Sequence, residues 1–195
     1  MGPPTRRGRD ARLNDVDLGG NLMRKLCLPA LAAAACLAAS AASAAEMEVA
    51  RGKYLVTIAG CNDCHTPGSF LGKPDFSRTL GGSDVGFAIP GKGVFVGANL
   101  TPDKETGLGK WTDDQIITAF TAGLRPDGRR LAPIMPWQAL TQLSPEDAHA
   151  IVAYLRSIPA VTNAVPGPFG PKEVPSTLVF TIVPGEVYSK IPGPP

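Results

Sequence analysis

The sequence predicts an all-α domain in which three main helices are joined by long loops rich in glycine and proline. Apolar residues recur at helical spacing in three separate stretches, and each stretch is bounded by residues that begin or end helices. The 195 residues include 22 glycines and 20 prolines, and the prolines concentrate in the second half of the chain, which predicts much irregular backbone there. A chain of this length allows one domain, or at most two.

Start and stop signals define the first two predicted helices. The first covers Met47–Ile58, where the apolar residues fall on one stripe, and it leads directly towards Cys61. The second begins at Thr112, because Thr112 and Gln115 have the spacing of a capping box, and Gly123 lies near its end. Each helix is therefore expected to bury one face.

The third predicted helix begins at Ser144. Pro145 occupies its first helical position, Asp147 lies three residues after the cap, and Pro159 ends the helix. Its apolar residues again form one face, and His149 falls beside that face. A partly exposed, structural histidine is the simplest interpretation of His149.

Irregular segments separate and follow these helices. Frequent glycines over residues 71–100 disfavour regular secondary structure and predict a long loop. A short hairpin around Val94–Val96 is the one exception that the sequence suggests. Residues 46–161 are predicted as the domain, and residues 162–195 as a Pro-rich C-terminal extension. Within the extension, Leu178–Val183 is predicted as a short edge strand. Wrapping of the domain, docking on a partner and a disordered tail all remain open for the extension.

Residues 1–45 form a leader with a secretory signal peptide over about residues 23–45. A Met-Arg-Lys start precedes the apolar, Ala-rich stretch Leu26–Leu37, and small residues lead to a cleavage site after Ala44 or Ala45. The apolar stretch is short for a membrane-spanning helix, which disfavours the alternative of a retained signal anchor. The leader therefore predicts export, with the periplasm as the location of the mature protein.

The charge of the mature chain excludes one class of function. The whole chain has a formal net charge of +2, but the leader holds the basic excess, and from Glu46 onward thirteen basic residues accompany fourteen acidic ones. A nucleic-acid-binding protein usually has a basic face or stripe. The balanced mature chain therefore predicts no nucleic-acid partner.

The cysteines carry the strongest chemical signal in the sequence. Removal of the leader takes away Cys27 and Cys36, which leaves Cys61 and Cys64 followed directly by His65. A dithiol redox motif is expected near a β-α-β pattern, which the sequence lacks. A zinc site needs four ligands, which would take every Cys and His of the mature chain, including the distant His149, so this interpretation is disfavoured. The remaining interpretation is covalent haem attachment, for which C-x-x-C-H is the signature.

The chemistry of haem attachment accounts for this spacing. Each thiol adds to one vinyl group of the haem, and two intervening residues let one turn of chain present both sulfurs to the same porphyrin edge. His65 follows directly and can reach beneath the ring to bind the iron. We therefore predict one haem c, held covalently by Cys61 and Cys64, with His65 as an axial ligand.

A methionine is the expected sixth ligand, since thioether sulfur suits ferrous iron and a Met/His pair raises the reduction potential. Met135 is the main candidate, because the prolines on either side of it disfavour helix and stiffen an extended loop. Met47 and His149 are the alternative ligands. A methionine that only fills the core is the other interpretation of Met135.

These segments, in this order, resemble those of class I c-type cytochromes. More closely, the sequence is similar to the cytochrome c subunits and domains of bacterial alcohol and aldehyde dehydrogenase complexes, over roughly residues 49–161. The resemblance implies a cytochrome c fold, with three main helices around one covalently bound haem and with His65 and Met135 as axial ligands. The segments that carry it are Cys61-Asn62-Asp63-Cys64-His65, Asn99-Leu100-Thr101-Pro102-Asp103, Pro126-Asp127-Gly128-Arg129 and Met135-Pro136-Trp137.

The resemblance also implies an electron carrier rather than an enzyme. A haem enzyme would need an open axial site and a distal acid or base, for which the sequence offers few candidates. The expected function is one-electron transfer in the periplasm, from a dehydrogenase as donor to an oxidase or cytochrome of the respiratory chain as acceptor, with peripheral association with a membrane complex. Complexes of this kind often use a subunit with three haem motifs, and this chain has one. A separate carrier or a small subunit is therefore the expected form.

Overall fold

The structure is a computed structural model that describes residue 2 and residues 42–191. The chain divides after Ala44 into two compact units, and the second, which begins at Ala45, contains the functional site. The predicted signal peptide lies outside the described residues except for its last positions, so its cleavage stays a prediction. Within the described residues, no helix is both long and apolar enough to cross a membrane.

Helices form the frame of the second unit, and the predicted starts of the second and third helices are confirmed. The Thr112 hydroxyl accepts from the Gln115 N–H at 3.2 Å and the Gln115 side chain accepts from the Thr112 N–H at 2.9 Å, which completes the capping box. Ser144 caps the next long helix by accepting from the Asp147 N–H at 3.1 Å. In the described part of the chain the helices are α1 (42–58), α2 (Cys61–His65), α3 (Asp113–Ala122), α4 (Trp137–Leu140), α5 (Pro145–Ser157) and α6 (Gly185–Tyr188).

The helical core forms where α1 lies against α5. Gly52 on α1 allows a close approach, since a Cβ at this position would lie 1.8 Å from the Ala150 carbonyl oxygen of α5. Val56 of α1 and Val152 of α5 are almost completely buried in the same apolar cluster. The α3 helix also packs against α5. The long helices predicted from the sequence therefore meet in one core.

A small sheet corrects the prediction of an all-α fold. Strand β1 (Val85–Ile89) pairs antiparallel with β2 (Gly93–Val96), so the short hairpin is confirmed. Gly91 and Gly93 have positive φ angles of 75° and 116° at its turn, a conformation that favours glycine. A third strand, β3 (Leu178–Phe180), pairs parallel with β1 and gives the order β2-β1-β3. The fold is mostly helical with a three-stranded sheet, because the glycines that disfavour helix permit this tight hairpin.

The C-terminal extension wraps the hairpin on both sides. Phe169 exchanges two backbone hydrogen bonds of 2.9 Å with Val94 of β2. The β3 strand, which is shorter than the predicted Leu178–Val183, then joins the free side of β1. Phe180 of β3 packs against Phe87 of β1 with ring centroids 5.9 Å apart. The extension is therefore packed on the domain as part of the same compact unit.

Candidate functional site

A largely apolar cavity of about 570 Å³ lies between the helices and the sheet. Most of the side chains that line it are aliphatic or aromatic, and they come from α1, α2, α3, α5, the hairpin and the loops between them. Residues 164–168 of the extension form part of its wall. The four site residues predicted from the sequence all line this cavity: Cys61, Cys64, His65 and Met135.

The α2 helix presents both cysteines to the cavity. Gly60 precedes the helix in the left-handed conformation, with φ at 67°. Cys61 and Cys64 are free thiols one helical turn apart and therefore fall on the same side of α2. Burial raises the pKa of Cys61 to about 11, and burial followed by the Asp63 charge raises the pKa of Cys64. A reactive dithiol motif needs a lowered thiol pKa, so this pair does not fit disulfide exchange.

A backbone carbonyl holds the His65 imidazole. The His65 Nδ1 lies 2.7 Å from the Ala98 carbonyl oxygen, an arrangement in which Nδ1–H donates and Nε2 keeps its lone pair. Burial lowers the pKa of His65, and the hydrogen bond to Ala98 offsets only part of that effect. The ring is therefore neutral near pH 7, with Nε2 available as a metal ligand.

The loop that carries Ala98 packs tightly on α2. A Cβ at Gly97 would lie 1.7 Å from the Cys64 carbonyl oxygen, so the backbone can approach this closely only at a glycine. The Gly97 carbonyl in turn accepts from the Ser83 N–H at 2.9 Å. The sequence did not reveal Ala98 as a site residue, because a backbone acceptor leaves no side-chain signal.

Met135 lies at the cavity wall in a turn, whereas the sequence predicted an extended loop. The Met135 N–H donates to the Ala132 carbonyl at 3.0 Å, and Pro133 occupies the second position of that turn, where its fixed φ is favourable. The Trp137 N–H donates to the Met135 carbonyl at 2.8 Å as α4 begins. Met135 also packs against the buried core cluster. The prolines therefore stiffen the segment, but in a turn.

The competing ligand candidates lie outside the cavity. The Met47 side chain on α1 is 69% exposed. His149 on α5 is also exposed, and neither residue belongs to the cavity lining. Of the two methionines that follow the leader, Met135 is the one placed to reach a group bound in the cavity.

Two arginines for which the sequence predicted no role at the site, Arg125 and Arg129, also line the cavity. The Arg125 guanidinium lies over the Trp111 ring, 4.9 Å from its centroid, and pairs with Asp127 at 3.2 Å. Burial, and then the neighbouring Arg125 cation, lower the pKa of Arg129. The local sequence does not show that these two side chains face a cavity. Two guanidinium groups in one wall can bind carboxylates.

The chemistry of the lining fits haem c. Two thiols one helical turn apart suit thioether attachment, and a neutral imidazole and a thioether suit the two axial positions of an iron. The guanidinium groups suit the two carboxylates of the haem. The aliphatic and aromatic walls suit its flat, apolar ring.

Several known proteins that are similar to this chain carry the names of cytochromes or cytochrome subunits. A family model described as Cytochrome c matches residues 49–159. The fructose dehydrogenase cytochrome subunit of Gluconobacter japonicus is 33% identical over 134 residues, which are 66% of this chain and 26% of that protein. The alcohol dehydrogenase (quinone) cytochrome c subunit of Gluconobacter oxydans strain 621H is 31% identical over 146 residues, 75% of this chain and 28% of that protein. A diheme cytochrome c-type protein of Cereibacter sphaeroides is 37% identical over 119 residues, 58% of this chain and 36% of that protein.

The family match includes all four predicted site residues and more than half of the chain. The chain spans about a quarter of the length of the two dehydrogenase subunits, and its similarity to them is that of a distant homologue. A cytochrome c domain implies covalently bound haem c and an electron carrier rather than a catalytic enzyme. The chain therefore belongs to the cytochrome c family.

Proposed function

We propose that this chain is a periplasmic cytochrome with one haem, which carries single electrons from a dehydrogenase towards the respiratory chain. In this proposal Cys61 and Cys64 hold the haem covalently, and His65 and Met135 are the axial ligands of its iron. One observation carries the proposal: these residues come from two distant parts of the chain and line a single apolar cavity.

Each group has a defined task at the proposed site. The two neutral thiols lie one helical turn apart, which suits two thioether bonds. The Ala98 carbonyl keeps His65 in the tautomer that leaves Nε2 for the iron. The proline-containing turn holds the Met135 thioether at the wall. When bound, haem c supplies an iron that alternates between the ferric and ferrous states.

Two protein ligands make this a site for electron transfer. If His65 and Met135 both hold the iron, no position would be left on it for a substrate or for oxygen. Apolar walls and a methionine ligand both act to raise the reduction potential. Arg125 and Arg129 are placed to pair with the haem carboxylates, which fixes the orientation of the ring in the cavity.

The named relatives support a dehydrogenase as the electron donor. They are subunits of fructose dehydrogenase and of alcohol dehydrogenase (quinone). The single C-x-x-C-H motif of this chain supports a one-haem carrier or a small subunit beside such an enzyme. An oxidase or a second cytochrome is the proposed acceptor. Peripheral association with a membrane complex suits both the uptake of electrons from the dehydrogenase and their delivery to the acceptor.

Export is tested by the N terminus of the mature protein. Expression of the full chain in a Gram-negative host that attaches haem c is expected to give haem protein in the periplasmic fraction. Its chain should begin at Ala45 or Glu46, because the small residues before these positions suit signal-peptide cleavage. Mass spectrometry of the purified protein measures that terminus. A membrane-bound haem protein that retains Leu26–Leu37 would indicate a signal anchor instead.

The ligation is tested by Met135→Ala. This variant is expected to lose the weak sulfur-to-iron charge-transfer band of the oxidised protein and to have a lower reduction potential, because the thioether favours ferrous iron. Absorption spectroscopy and potentiometric titration measure the two effects. Reduced Met135→Ala should also bind carbon monoxide readily, since one axial position is then open, whereas the reduced wild-type protein should bind it poorly.

The matched control is Met47→Ala, which removes the same atoms from an exposed position outside the cavity. It is expected to keep the charge-transfer band and the potential of the wild-type protein. A Met135→Ala spectrum identical to that of the wild type would contradict the proposed ligand. Ready binding of carbon monoxide by the reduced wild type would favour a haem enzyme with an open site.

A further inference from the structure

We infer that Asn99 is a positioning residue for His65, and that it acts through the carbonyl of Ala98. The inference rests on the proposed function, because it concerns the ring that is proposed to bind the iron. The evidence for the inference is a buried hydrogen-bond network around the Asn99 side chain. The proposed roles of the cysteines and of the two iron ligands do not account for this network.

The Asn99 side chain uses all of its hydrogen-bonding capacity and is only 2% exposed. Its Nδ2 donates to the Val161 carbonyl oxygen at 2.7 Å and to the Thr106 hydroxyl at 3.0 Å. Its Oδ1 accepts from the Thr101 N–H at 3.0 Å and from the Thr101 hydroxyl at 2.7 Å. A buried network with every member satisfied holds one arrangement. Asn99 is therefore fixed to the loop that follows it and to the chain that follows α5.

This network reaches the histidine through one peptide unit. The Ala98 carbonyl and the Asn99 N–H belong to the same planar group, so fixing Asn99 fixes the direction of that carbonyl. The next peptide is also held, since the Leu100 N–H donates to the Leu80 carbonyl at 2.8 Å. The Ala98 carbonyl is thereby aimed at the His65 Nδ1, which lies 2.7 Å away.

The hydrogen bond between Ala98 and His65 controls the orientation and the basicity of the ring. An aligned acceptor at Nδ1 makes an imidazole a stronger metal ligand. Hydrogen bonding to an axial ligand is also one of the factors that set the reduction potential of a haem iron. An imidazole that donates more electron density to the iron favours the ferric state. Asn99 therefore lowers the reduction potential, relative to a chain in which the Ala98 carbonyl turns away.

Two variants of the haem-loaded protein test this inference. Asn99→Ala removes the centre of the network, and Thr101→Val removes one hydroxyl while it keeps the side-chain shape. Both are expected to raise the reduction potential. Both should also change the pattern of shifted haem methyl signals in proton NMR of the oxidised protein, because that pattern follows the orientation of the axial ligands.

Asn163→Ala is the matched control. It removes the hydrogen bond of 2.8 Å that the Asn163 side chain donates to the Gly81 carbonyl. This bond lies close to the network, but the carbonyl that accepts it does not belong to the peptide of Ala98. It is expected to lower the thermal unfolding temperature while the potential and the methyl pattern stay those of the wild type.

The outcomes separate a positioning role from a structural one. Asn99→Ala with a lower unfolding temperature but a wild-type potential and methyl pattern would overturn the inference. If Asn99→Ala does not fold, the reduction potential and the methyl pattern of Thr101→Val test the inference instead. Wild-type values of both for Thr101→Val would overturn the inference. A wild-type protein without the spectrum of a six-coordinate, low-spin haem would refute the proposed function instead, so the two failures are distinguishable.

Discussion

Replacing Cys61 and Cys64 together with alanine is expected to abolish covalent haem attachment and to leave little folded protein. The cavity of about 570 Å³ would then lack its proposed occupant. A haem would form much of the core of so small a domain, so its loss removes many of the apolar contacts that the lining side chains make. The total free energy of unfolding of a domain is about 5–15 kcal/mol. A loss of this kind is therefore expected to leave little of the protein folded.

Extraction with acidic organic solvent after denaturation measures the attachment, and circular dichroism measures the folded fraction. The single variants Cys61→Ala and Cys64→Ala are the controls, since each keeps one thiol for a thioether bond. Haem is expected to stay with the wild type and with both single variants, and to leave the double variant with the solvent. Haem that leaves the wild-type chain would refute covalent attachment, and haem that stays with the double variant would assign it to other residues.

Gly97→Ala is expected to destabilise the folded protein by at least about 3 kcal/mol, the upper part of the usual range for overpacking. The added Cβ would lie 1.7 Å from the Cys64 carbonyl oxygen, and backbone atoms cannot rotate away as a side chain can. The loop must move off α2, which takes the Ala98 carbonyl away from His65. We therefore expect less haem-loaded protein as well as a fall in Tm on the order of 10 °C.

Gly185→Ala is the control for this prediction, because a Cβ at Gly185 meets no atom within 4 Å. Its free energy of unfolding should stay within about 0.5 kcal/mol of the wild-type value. Guanidinium denaturation of the three proteins measures the differences. Equal denaturation midpoints for Gly97→Ala and the wild type would show that the loop can relax without cost, contrary to the tight packing on α2.

Helix positions were predictable from the sequence because their determinants are local. The capping pair of Thr112 and Gln115 acts within one turn of chain, and so do Ser144 and Pro145 at the start of α5. The structure confirms both starts. The first helix includes residues before the predicted Met47, since residues 42–46 are already helical and have no comparable signal that would break the helix.

The three-stranded sheet could not be predicted in full, because its pairings are distant in sequence. The hairpin over residues 85–96 has a local turn signal, whereas Val85 pairs with Leu178 through no local pattern. The hairpin strands also lack the alternation of buried and exposed residues that indicates a strand, since the first three residues of β1 and the first two of β2 are all buried. The same limit explains why the wrapping of the extension was left open.

Side chains with distinctive chemistry were found from the sequence, and those that act by position were not. The C-x-x-C-H motif and the proline-flanked methionine can be identified by residue type alone, and in the structure they line one cavity. The Ala98 carbonyl and the two arginines have ordinary identities and matter through their location. Their places in the site depend on the path of the loop over α2 and on the turn that follows α3, which only the structure shows.

The wall formed by residues 164–168 has a consequence for the order of assembly. A chain is synthesised from its N terminus, so the segment with both cysteines emerges well before the extension does. The backbone hydrogen bonds between Val94 and Phe169, next to this wall, join residues far apart in sequence, and contacts of that kind form slowly. Until they form, the cavity lacks one wall, and a rigid planar group can approach the thiols from that side. The extension thus favours an assembly sequence in which the cofactor enters first and the domain closes over it afterwards.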